Sequence, residues 1–150
     1  GDRALREVAR VLRAGIRPYD ICVRYAGDEF IVVLSGCGHD EAERKRVELQ
    51  EAVDQTLFEA RPGRRLPLGI SIGTALFPHD GDTYEALLAT ADSRMYRDKT
   101  RRKQARPADL LLAGDREFAV VGAPIVAAAA PAVAALPNEL EIERAGVGLL

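Results

Sequence analysis

Cysteine is scarce: the 150 residues hold only Cys22 and Cys37. Two thiols cannot build the disulfide framework of a small secreted domain, and their spacing matches no metal-ligand pattern. They are expected to be buried, reduced thiols of a cytoplasmic domain. A surplus of charge of one sign is also missing. Lys and Arg number 21 against 23 Asp and Glu, a formal net charge of −2. That balance excludes a body built to bind nucleic acid or an anionic membrane surface. Aromatics are 5% of the chain. In the basic cluster from Arg94 to Arg106 the one interleaved aromatic is Tyr96, expected to face the core, so a platform for stacking bases is lacking. No internal repeat is present. The one long charge-free run, Phe118 to Leu136, is rich in alanine and is interrupted by Gly122, Pro124 and Pro131. A membrane span needs about 20 strongly apolar residues, and prolines oppose a helix. The run is expected to be a linker or the start of a further segment.

What is present fits about one domain, long enough to bury a core. The chain opens at Gly1, almost directly on a helical pattern, and is expected to be a fragment of a longer protein. From Asp2, the residues Leu5, Val8, Ala9, Val11 and Leu12 recur at helical spacing until Gly15. Pro18 hands over to an extended run, Tyr19 to Arg24, and Ala26-Gly27 supplies a turn into the apolar strand Phe30 to Leu34. A second helix is expected from about Asp40 to Ala60, with Ala42, Leu49, Val53 and Leu57 inward and Pro62-Gly63 as its stop. In "LPLGISIGTALF" Leu68, Ile70 and Ile72 alternate with Gly69, Ser71 and Gly73, a strand with one face in the core and one pressed against a neighbour. A last helix is expected to be capped by Asp82, with Glu85 as its capping-box partner and Tyr84, Leu87, Leu88, Ala91 and Met95 as its apolar stripe.

The hairpin poses a question. Asp28 and Glu29 stand immediately before five apolar residues, and burying a carboxylate there is costly unless a cation or hydrogen bonds compensate. They are either solvated turn residues or ligands of something positive.

With the hairpin placed, a resemblance can be stated. "RYAGDEFIVVL" resembles the signature hairpin of the GGDEF family, the bacterial diguanylate cyclases, with alanine for the first glycine. "GDRALREVARVL" resembles the family's helix opening with Gly-Asp-x-x-Leu. "RPYD" matches its Arg-x-x-Asp inhibitory site, five residues before the hairpin motif. "ISIGTAL" resembles the Ser-Ile-Gly strand, and "ADSRMYRDK" the closing Ala-Asp-x-x-Leu-Tyr-x-Ala-Lys helix. Five ordered stretches within residues 1–106 carry the likeness. It implies an α+β fold like the nucleotidyl cyclases and polymerase palms, an antiparallel-rich sheet flanked by helices. It also implies a domain over residues 1–106, with 107–150 an Ala/Pro-rich linker or the start of a further segment. The family's first strand, with its Asp-x-Asp-x-Phe-Lys stretch, and the guanine-reading Asn after it would lie upstream of Gly1. Taken alone, the chain is expected to bind GTP poorly and to be inactive.

The implied reaction condenses two GTP molecules into cyclic di-GMP, in a homodimer that presents one nucleotide from each protomer. Asp28 and Glu29 would hold Mg²⁺ or Mn²⁺, through which carboxylates can approach a triphosphate, and Asp28 would help deprotonate the 3′-hydroxyl. Gly27 would let the backbone approach the nucleotide. Asp2 would accept from the guanine edge, although an Asp at a helix start is also an ordinary N-cap. Lys99 and Lys103 would meet the triphosphate, the latter replacing the family's Arg and so acting as a point charge instead of a fork. Cations at a helix C-terminus also suit its dipole without any ligand. Arg17 and Asp20 would bind product as a feedback site, Arg17 reading guanine O6 and N7. The alternative is a non-catalytic module sensing cyclic di-GMP or GTP. No nucleic acid is expected as partner, and membrane contact only through an upstream sensor outside this chain.

Overall fold

The computed structural model describes residues 2–104, 119–128 and 148–149. Helix α1 (Asp2–Ala14) buries Ala4, Val8, Ala9, Val11 and Leu12, the stripe its sequence spacing foretold. It ends where the Gly15 N–H donates to the carbonyls of Val11 and Leu12. Strands β1 (Ile21–Ala26) and β2 (Glu29–Ser35) form the expected antiparallel hairpin, from Ile21 opposite Val33 to Ala26 opposite Glu29. The first strand starts two residues later than expected. Residues 17 to 20 are folded into a turn in which the Asp20 N–H donates to the Arg17 carbonyl, and this keeps Tyr19 out of the sheet.

Helix α2 (His39–Asp54) buries Ala42, Leu49 and Val53 as expected but stops six residues short of Ala60. Leu57–Arg61 is instead strand β3, paired antiparallel with the start of β4 (Arg64–Phe77). Pro62-Gly63 is therefore a hairpin turn, with Gly63 at φ 77°, and not a helix stop. Leu57, expected to be inward on α2, is 61% exposed. Beyond this ribbon, β4 does what its alternation predicted. Leu68, Ile70 and Ile72 join α1, α2 and the hairpin's Cys22, Phe30, Val32 and Leu34 in the main core, while Ala75 packs against Leu87 and Ala91 of α3 (Tyr84–Gln104).

Helix α3 is capped by Thr83 and not by Asp82: the Ala86 N–H donates to Thr83 Oγ1 at 3.1 Å and the Leu87 N–H to the Thr83 carbonyl. Its buried stripe is Leu87, Ala91, Met95 and Asp98, spaced at three to four residues. Tyr96 falls one position off that stripe and is 69% exposed, contrary to expectation. Tyr84 and Leu88 pack over Val23, Ile31 and Val33, closing the other face of the hairpin.

Strand β5 (Ala119–Ala128) lies between β4 and β2, parallel to both, and β6 (Gly148–Leu149) pairs antiparallel with β1. The sheet order is β3-β4-β5-β2-β1-β6. Part of the stretch expected as a linker thus stands at the centre of an α+β sheet, the place the resemblance leaves for the family's first strand. Its sequence carries no charge, and β4, α3 and β5 form a parallel crossover unit. Among the described residues no helix is long and apolar enough to cross a membrane. Cys22 and Cys37 are free and buried.

Candidate active site

The hairpin tip is a tight turn. Gly27 sits at φ 51°, a conformation other residues adopt only with strain. Nothing lies within 4 Å of where its side chain would project, so the turn fixes the glycine and leaves open space above it. Asp28 is exposed, with no hydrogen-bond or ion-pair partner among the described residues. Glu29 opens β2 and is half-buried. Burial pushes its carboxyl above the usual carboxylate range, and the negative charges of Asp92 and Asp28 push the same way against the pull of Lys99.

Several predicted residues converge on this tip. Arg24 Nε donates to the Gly27 carbonyl at 2.9 Å, and its Nη2 lies 4.0 Å from Asp2 Oδ1. The first turn of α1 is thereby held beside the metal-ligand candidates. Lys99 comes from α3, close enough for its charge to act on Glu29. Lys103, one turn further on, is exposed and makes no bond among the described residues. The sequence reading missed Arg24, and it missed Asp92 and Glu85. These two acids line a cavity of about 360 Å³ with Glu29, Tyr25 and Leu88. The signal was there: positions 85, 92 and 99 are seven apart, which puts them on one helix face.

The second predicted site lies at the other end of the hairpin. Asp20 is buried. Its Oδ2 accepts from the Arg17 N–H at 2.9 Å and from Arg17 Nε at 3.3 Å, and its Oδ1 accepts from the Ser35 N–H at 3.0 Å. Arg17 Nη2 donates to the Ser35 carbonyl at 2.6 Å, and the guanidinium stacks over Tyr19 at 4.8 Å. Arg17 and Asp20 therefore tie the turn to the end of β2. Beside them is a cavity of about 370 Å³ that Arg13 and Cys22 also line. Burial pushes the Cys22 thiol up to about 11, so it stays protonated and unreactive near neutral pH.

Comparison with known proteins decides the family. The model described as "Diguanylate cyclase, GGDEF domain" matches residues 1–105. The chain belongs to the GGDEF family. It is similar to "Diguanylate cyclase DosC" of Escherichia coli K12, 37% identical over 101 residues, covering 67% of this chain and 22% of that protein. It is also similar to "Response regulator PleD" of Caulobacter vibrioides, 36% identical over 106 residues (70% and 23%). A third relative is "Bifunctional diguanylate cyclase/cyclic di-GMP phosphodiesterase MucR" of Pseudomonas aeruginosa, 34% identical over 99 residues (66% and 14%). The chain spans less than a quarter of the length of each of these relatives. No solved structure matches it.

Two departures from the GGDEF pattern acquire a local account. Ala26 pairs with Glu29 across an irregular register, so the turn closes with alanine in the first motif position. Arg102, where the family has glycine, lies within α3 and donates to both carboxylate oxygens of Asp54 at 2.8 Å. That fork continues the helix past Lys99 and fastens it to the end of α2. GGDEF diguanylate cyclases are metal-dependent, and the donors present suit an ion shared with its substrate. Among the described residues no three His, Cys, Asp or Glu side chains could hold an ion by themselves. Asp28 is uncommitted and Glu29 sits in a negative field that a cation would relieve. Mg²⁺ typically takes one or two carboxylates and completes its shell with water and phosphate oxygens.

Proposed function

We propose that residues 1–106 are the catalytic domain of a diguanylate cyclase that condenses two GTP molecules into cyclic di-GMP and pyrophosphate. What carries the reading is the gathering of Asp2, Gly27, Asp28, Glu29 and Lys99 around one hairpin tip. Asp28, with Glu29 in support, holds Mg²⁺ or Mn²⁺. The bound ion supplies charge neutralisation at the attacking and leaving oxygens. An Asp28 carboxylate oxygen receives the proton of the 3′-hydroxyl as that oxygen attacks the partner nucleotide's α-phosphate. Asp2 accepts from the N–H groups of the guanine edge, a pattern adenine lacks. Gly27 leaves room for the nucleotide, and Lys99 and Lys103 meet the triphosphate. Each protomer of a homodimer contributes one GTP. Cyclic di-GMP feeds back at Arg17, which Asp20 holds in place.

The 150 residues contain no Asp-x-Asp-x-Phe-Lys stretch, so by themselves they bind GTP weakly and do not turn it over. The activity belongs to the longer protein. A purely sensing role would leave the uncommitted Asp28 without a task. The test is turnover of GTP with Mg²⁺ by the purified longer protein, with cyclic di-GMP quantified by chromatography. Asp28→Ala should lower turnover at least about a hundredfold, the usual scale for losing a general base, while product still binds at Arg17. Turnover that survives the substitution overturns the assignment.

A further inference from the structure

A cavity of about 450 Å³ does not belong to the hairpin site. It lies where α2 and α3 flank β4, and none of Asp2, Gly27, Asp28, Glu29, Lys99 or Lys103 lines it. Four arginines do: Arg46 from α2, and Arg94, Arg97 and Arg101 from α3. Arg97 and Arg101 sit two positions either side of Lys99, which turns them to the opposite side of the helix from the hairpin. Two acids share the walls, Glu43 and Asp98, and both are already engaged. Glu43 accepts from Arg46 Nε at 2.9 Å. Asp98 accepts from Arg101 Nη2 and from Gln50 Nε2, each at 2.8 Å. These bonds hold the guanidiniums in place without using all of their donors.

Arg94 is fixed in the same manner, its fork on Asp80 at 3.0 Å and its Nη1 on the Thr74 carbonyl at 2.7 Å. Two polar groups of the wall have no partner among the described residues. One is the exposed guanidinium of Arg97; the other is the buried hydroxyl of Thr74. Arg46, Arg94 and Arg101 are each paired with one acid, Glu43, Asp80 and Asp98, which leaves Arg97 as the unpaired charge of the lining among the described residues. Pre-positioned guanidiniums match the oxygens of a tetrahedral anion better than flexible ammonium groups would. We infer that this groove binds a phosphate group, either free phosphate or pyrophosphate or the phosphates of a nucleotide, with Arg97 supplying the uncommitted charge.

The inference does not depend on the catalytic reading, and its test keeps the two apart. The full chain carrying Lys99→Ala and Lys103→Ala lacks the two lysines proposed to meet the triphosphate at the hairpin site. Calorimetric titration of that protein in chelator, with inorganic phosphate, pyrophosphate and GTP in turn, should still show binding. Adding Arg97→Gln and Arg101→Gln should weaken it on the order of tenfold or more, with the circular dichroism spectrum unchanged. GTP binding more tightly than pyrophosphate identifies a nucleotide as the occupant; the reverse order identifies the free anion. Absence of binding in the lysine-substituted chain, or equal affinity with and without the two arginines, overturns the inference.

Discussion

Gly73 offers a quantitative test of how α3 is seated. A methyl group there would lie 1.9 Å from the Ala91 carbonyl oxygen, 2.3 Å from the Met95 nitrogen and 2.9 Å from Met95 Cα. All three are backbone atoms, so no side chain can swing aside. Restoring an ordinary contact of 3.4 Å along the shortest vector means a retreat of 3.4 − 1.9 = 1.5 Å by the helix. Overpacking of this kind costs about 1–3 kcal/mol, occasionally more, and the rigidity of both elements argues for about 3 kcal/mol. Gly69, four positions earlier on the same face of β4, is the control. Its nearest atoms, in Arg102 and Asp54, are 3.9 Å away, so Gly69→Ala should stay within about 0.5 kcal/mol. Denaturant unfolding followed by far-ultraviolet circular dichroism measures both, the chain having no tryptophan. Because α3 also carries Asp92 and Lys99 to Glu29, Gly73→Ala should weaken GTP binding in the longer protein as well. A Gly73→Ala midpoint equal to that of the parent sequence, or equal loss in both variants, refutes the close seating of α3 on β4.

Other outcomes follow from two hydrogen-bonded carboxylates, Asp80 and Asp20. Arg94 and the Leu76 N–H hold the Asp80 carboxyl at about 2, below its ordinary 3.8. A depressed folded-state pKa contributes stability that is complete above 3.8 and is lost as pH falls through about 2. Asp80→Asn should therefore cost about 1–2 kcal/mol at pH 7, discounted for the part-exposed Arg94, and little at the acid end; a pH-independent cost on thermal unfolding would contradict the pairing. Asp20→Ala removes the acceptor of two backbone N–H groups and of Arg17 and should cost about 2–4 kcal/mol in denaturant unfolding. A cost under about 0.5 kcal/mol would show that the carboxylate is not structural.

The parts legible in the sequence were those where local chemistry and the final packing agree. Val8 and Leu12 recur at helical spacing and are buried so; Ile70 and Ile72 alternate and face the core. A tight turn was expected at Ala26-Gly27 and lies one residue later, at Gly27-Asp28, with Ala26 ending β1 and Glu29 opening β2. Where two structures share one signal, the reading went astray. Pro62-Gly63 stops a helix as readily as it turns a hairpin, and Leu57 fits either periodicity. Asp82 and Thr83 both cap helices, and only the hydrogen bond to Ala86 chooses between them. Residues 119–128 lack alternation and contain Gly122 and Pro124, which argue against a strand, so their strand is set by its neighbours. Arg24 and Asp92 became site residues only once α1 and α3 were laid against the hairpin, a matter of tertiary geometry.

The order of the strands in the sheet bears on how the protein meets other chains. Strands β2 and β4 both precede α3, yet each finds its inner neighbour only in β5. Without residues 119–128, the described strands β2 and β4 would each have a bare inner edge, and bare edges recruit other chains. Closing the middle from a later segment is a long-range, slow step. Among the described residues, the edges of β2 and β4 that β5 covers are thus where the sheet would be most prone to stick to neighbouring chains.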